Sequence, residues 1–137
     1  MKKNKQKGFG ATLELTPFPF DLYIALGISY DEINKHIQKT IPDFNAHEEF
    51  KDINSKHHGR TLQFSDGQLF LYLPFVPDVN DPSDVALLEH ELWHVTHMLL
   101  DRVSTPLVEA TWEVYAYVLQ YVTVEVLHMI KEYKHGK

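Results

Sequence analysis

The sequence predicts an α+β domain in which a small, mostly antiparallel sheet from the first half of the chain packs on two long helices from the second. Three observations carry this. Short β-prone runs bounded by Gly, Pro, Asn and Asp all lie before residue 74. Two later stretches, 82–101 and 106–132, each open on a cap residue followed by proline, Asp81-Pro82 and Thr105-Pro106, which is a helix-start signature. A chain of 137 residues, 44% hydrophobic and 23% charged, has globular composition and the length of one domain with one core. That domain is expected over 9–137, behind a flexible basic N-terminus at 1–8 whose four lysines read as a solvated end.

The elements follow in order. Residues 11–16 read as a strand, and Pro17 and Pro19 exclude a central strand through that point, so the chain is expected to be irregular before turning extended again near 20–26. Ser29 or Asp31 can cap a short amphipathic helix over 30–41, whose stripe Ile33, Ile37 and Ile41 ends before Pro42. The polar block 43–60 carries no clear period and is expected to be mostly loop. Residues 60–64 and 68–73 flank Ser65-Asp66-Gly67, a hairpin connection. Leu69, Leu71 and Leu73 alternate with Phe70 and Tyr72, so the second of these strands is apolar on both faces and should be covered on both. The stretch 106–132 is rich in β-branched valines, but its length and the spacing of four through Glu109, Glu113, Tyr117 and Tyr121 favour helix over strand.

The helix predicted at 82–101 holds His90-Glu91-Leu92-Trp93-His94, an H-E-x-x-H pentad. Histidines four apart share one helical face and rise together by about 6 Å, so both rings can reach one ion, with Glu91 beside it where a general base is needed. With 9 His and 10 Glu in the chain, chance alone would place such a pentad in roughly 4% of shuffled sequences. Its setting adds weight: Val85, Leu88, Leu92, Val95, Leu99 and their neighbours make this helix apolar nearly all round, which marks a buried helix, and a metal would satisfy polar groups placed within it.

The pentad, its apolar surroundings and the Glu-bearing helix downstream resemble the zincin metallopeptidases, most closely the gluzincin branch, with a fainter likeness to small zincin-type proteins of phages and prophages. The resemblance covers roughly residues 83–120. It implies a zincin-like fold, a zinc ion held by His90, His94 and a glutamate of the following helix, Glu91 as catalytic base, and a peptide or protein substrate. Glu113 is favoured as third ligand because Ala116, three places on, lets the helices approach, and because a longer connection eases the return; Glu109 is the alternative, as ligand or as an outer carboxylate. His97 lies about 10 Å along the axis from His90, too far to share the ion easily, and is expected to be a neighbouring donor or a core histidine. Tyr117 and Tyr121 are candidate donors to a developing oxyanion or else core aromatics. An extended substrate is expected to add to the strand at 68–73.

Composition narrows the field. Cysteine is absent, which removes thiolate chemistry and sets the chain apart from peptide deformylases, whose similar pentad is completed by a cysteine. The metzincin pattern, with a third histidine beyond a glycine, is also missing. A net charge of −6 disfavours nucleic acid as partner. No apolar run reaches the ~18 residues of a membrane span, and the basic start lacks a signal-peptide core, so a cytoplasmic protein is expected. His36, His47, His57, His58, His128 and His135 stand in polar or terminal contexts and read as solvated, although the His57-His58 pair can capture stray metal. The rivals to a zinc peptidase are a non-catalytic zinc-binding interaction protein of the same fold and a metal-free helical packing domain.

Overall fold

The computed structural model describes residues 7–53 and 58–134. It is an α+β arrangement of a four-stranded sheet with helices on both faces. The strands are β1 (Phe9–Glu14), β2 (Asp21–Leu26), β3 (Arg60–Gln63) and β4 (Leu69–Leu73), in spatial order β1-β2-β4-β3. Their pairings β1·β2 and β3·β4 are antiparallel, as expected, but β2·β4 is parallel, so the sheet is mixed. The stretch expected to be merely extended near 20–26 is therefore a full central strand. Pro17 and Pro19 lie in the turn before it, which Phe18 N–H and Leu15 N–H close on the carbonyls of Leu15 and Phe20.

All five residues of β4 are buried, because the two faces of the sheet are covered by different helices. On one face Leu69, Leu71 and Leu73 join Leu22, Ile24, Leu88, Leu92, Val95 and Leu99. On the other, Phe70 and Tyr72 meet Ile33, Ile37, Phe44 and Phe50, with Phe50 stacked 4.6 Å from Tyr72. The latter layer comes from α1 (Tyr30–Ile37) and α2 (Ala46–Glu49). Helix α1 is capped by Ser29, whose hydroxyl accepts from Glu32 N–H at 3.1 Å, and it ends four residues before the predicted boundary. A single helical turn capped by Asn45 stands in the block expected to be loop.

The first layer is α3 (Pro82–Arg102) and α4 (Trp112–Lys134). Asp81 caps α3 by accepting from Ser83 N–H at 2.9 Å, with Pro82 in the first turn. At its far end Ser104 takes a left-handed φ of 61°, and Thr105 N–H and Ser104 N–H return to the carbonyls of Leu100 and Asp101, which closes the helix. Arg102 fastens this end to the hairpin by donating to the Ser65 carbonyl at 2.7 Å.

Helix α4 starts later than Thr105-Pro106 suggested. One 3-10 turn, Glu109–Thr111, precedes it. The Thr111 hydroxyl there accepts from Val108 N–H at 3.0 Å, which closes this turn just before α4 begins. Among the described residues no helix is long and apolar enough to cross a membrane.

Candidate metal centre

Helix α3 divides its circumference among three neighbours. Leu88, Leu92, Val95 and Leu99 face the sheet; Glu89, which accepts from the Thr123 hydroxyl at 2.7 Å, faces α4; Glu91 turns toward β3. His90 and His94 occupy the remaining side, exposed and half-buried respectively. Their Nε2 atoms lie 3.3 Å apart, with ring planes at 76°. Two nitrogens held about 2.0–2.1 Å from one ion at tetrahedral angles are separated by about 3.3 Å, so these rings already stand at the spacing of two ligands. In the metal-free protein the same spacing suits one imidazole donating to the other.

Glu91 is 4% exposed, the one buried carboxylate among the described residues. Its neighbours fix it. The Thr61 hydroxyl of β3, itself buried, lies 3.0 Å from Glu91 Oε1 and 3.2 Å from the Glu91 carbonyl oxygen. Gly59 passes so close that an added Cβ would stand 2.9 Å from Glu91 Cγ and 2.9 Å from the backbone carbonyl of Tyr72, so only glycine lets the chain enter β3 at this point. One ligand atom each from His90, Glu91 and His94 lies within 4.8 Å of the others, and this group could hold a metal ion. It is the one such group of three or more His, Asp or Glu side chains among the described residues.

The other predicted site residues are dispersed. Glu109 and Glu113 are exposed, one in the 3-10 turn and one in the first turn of α4, and neither joins the group. His97 is exposed beside aromatic rings, 6.2 Å from Trp93 and 6.0 Å from Tyr115. Tyr117 and Tyr121 line an apolar groove with Leu15, Pro17, Phe18 and Leu99. Leu99 is nine residues from His90, half a turn out of phase on α3. Neither tyrosine therefore stands at the histidine face, and neither is a core aromatic, since both are exposed.

The strand predicted to receive a substrate is corrected as well. Residues 68–73 contain β4, which is paired on both sides by β2 and β3 and has no free edge. The sheet edges are β1 and β3, and β3 is the one that touches Glu91.

Three residues near the histidines escaped the sequence reading. Thr61 and Gly59 act on Glu91 from about thirty positions away, with no local signal to announce them. Tyr115 was hidden by the Glu and Tyr stripe beside it. Its ring is buried 5.9 Å from Trp93, its hydroxyl donates to the Thr105 carbonyl at 2.7 Å, and burial, with the Asp101 carboxylate adding, pushes its phenol pKa up. Tyr115 thus pins the first turns of α4 against the middle of α3.

Comparison of the chain with protein-family models, with curated proteins and with solved structures finds no match.

Proposed function

We propose that the protein is a zinc-dependent peptidase in which His90 and His94 hold the ion and Glu91 is the general base. The observation that carries this reading is the 3.3 Å separation of two imidazole nitrogens beside a buried carboxylate fixed by Thr61. Imidazole donors favour zinc over magnesium or calcium, which prefer all-oxygen sites. Zinc in such a site supplies a Lewis acid that polarises a carbonyl and makes water acidic near neutral pH.

The protein's own groups supply the rest. Thr61 donates to Oε1 of Glu91, which leaves Oε2 to take the proton of an attacking water and deliver it to the leaving amine. An extended peptide would pair along the outer edge of β3, whose inner face already touches α3, so the scissile bond would pass over the histidine side of the helix. Glu113 remains the candidate third ligand. It stands two residues before Tyr115, about 160° round the helix from the side that packs beside Trp93 and His97, so its carboxylate reaches the histidines only if the first turn of α4 rewinds. Glu109, one turn earlier, is the alternative.

The test is a paired measurement on wild type and Glu91→Gln. The variant should retain one zinc per chain and lose hydrolysis of a peptide library by at least a hundredfold, the usual scale of a removed general base. Cleavage undiminished in Glu91→Gln sinks the mechanism. A wild type that binds zinc but cleaves no peptide would make the chain a zinc-binding interaction protein instead.

A further inference from the structure

Helix α4 carries a second apolar stripe that nothing in the described chain covers. Its inner face is filled by Tyr115, Val122, Val126 and Ile130. On the opposite side stand Val114 at 43% exposure, Tyr117 at 66%, Tyr121 at 43% and Val124 at 43%. Their spacings are three, four and three residues, the seam by which one helix packs along another. Beside the seam the turn at 15–18 adds the exposed Pro17 and half-buried Phe18, which share a groove with Tyr117 and Tyr121. From those fractional exposures, stripe and turn together present on the order of 400 Å² of apolar surface, within the range of the largest patch on a lone monomer and about half of the roughly 800 Å² that each partner of a stable interface buries.

We propose that this face joins two copies of the chain, with α4 packed antiparallel on α4 of the partner across a two-fold axis. The order of residues along the stripe argues for a second copy over any other occupant. Read from either end it is Val, Tyr, Tyr, Val at the same intervals. A two-fold axis through residue 119 therefore sets Val114 against Val124 of the partner subunit and Tyr117 against Tyr121 of the partner subunit. Those contacts recur on the other side of the axis, the reciprocal matching that a two-fold interface requires. Small opposes small and large opposes large at matching heights, and the tyrosine hydroxyls can reach water at the rim. The neighbouring Gln120 and His128 are polar and exposed, as a rim should be. This inference is independent of the proposed peptidase activity.

Sedimentation velocity on the full chain tests it. Wild type should run as a species of about twice 16.0 kDa at tens of micromolar. Tyr121→Glu combined with Val124→Glu should run as a monomer, with self-association weakened at least a hundredfold and far-UV circular dichroism unchanged. A monomeric wild type, or a folded double variant that still dimerises, overturns the proposal.

Orientation is tested separately, and without relying on that variant folding. The chain has no cysteine, so Val114→Cys and Val124→Cys each introduce a single thiol. Mixed and oxidised, the two variants should cross-link to each other, while each alone should not. Equal positions lie about 15 Å apart along the axis in the antiparallel pair, beyond disulfide reach. Cross-linking of each alone as efficiently as the mixture contradicts the two-fold register.

Discussion

Helices α3 and α4 are nearly equal in length, 21 and 23 residues, and both are apolar around most of their circumference, yet the structure uses them differently. Around α3 the sheet, β3 and α4 leave one open side, and that side holds His90, His94, His97 and Asp101. Around α4 the open side holds Val114, Tyr117, Tyr121 and Val124. Apolar content marks α3 as a buried helix, and α4 is no less apolar. What separates them is the chemistry of the uncovered stripe: donors that can meet an ion on one, side chains that gain by leaving water on the other.

The comparison can be broken first through packing. Leu92→Ala on the covered face of α3 removes a fully buried side chain and should lower unfolding free energy by about 2–5 kcal/mol. Val124→Ala on the open face of α4 should cost under about 0.5 kcal/mol in the monomer. Urea unfolding in dilute solution measures both. Equal costs would mean that the α4 stripe is covered within one chain.

A smaller effect sharpens the account of Glu91. Thr61→Val keeps the volume but removes the hydroxyl at 3.0 Å, leaving a buried carboxylate oxygen without its donor, and should cost about 1–3 kcal/mol. Thr61→Ser should recover most of that loss. Equal destabilisation by Ser and Val would assign the effect to packing of the methyl group instead.

The smallest expected change lies at the end of α3. Ser104 holds the left-handed φ of 61° that closes the helix, a position where glycine carries no steric penalty. Ser104→Gly should raise stability by up to about 1 kcal/mol, read as an increase in melting temperature of a few degrees. A decrease would show that the serine side chain makes a stabilising contact there.

Which features were legible in the sequence follows from how local their causes are. Asp81-Pro82 set the start of α3 and Ser65-Asp66-Gly67 set the β3–β4 hairpin, because a cap and a left-handed glycine act within a few residues. The pentad was legible because helical spacing alone fixes the relation of His90 to His94. The parallel pairing of β2 with β4 was not, since nothing within either strand names its partner. The same holds for Thr61 and Gly59, whose roles exist only once β3 lies on α3. The start of α4 lies later than Thr105-Pro106 signals because the left-handed Ser104 and the 3-10 turn at Glu109–Thr111 come between that local signal and the helix.

The central claim is that His90 and His94 are joint ligands of one ion. The direct measurement is zinc content per chain by mass spectrometry after exhaustive desalting, on wild type, His90→Ala, His94→Ala and a His57→Ala/His58→Ala control. One zinc in wild type and control, with none in either pentad variant, is the predicted result. A zinc-free wild type, or zinc retained by both pentad variants and lost from the control, would contradict it.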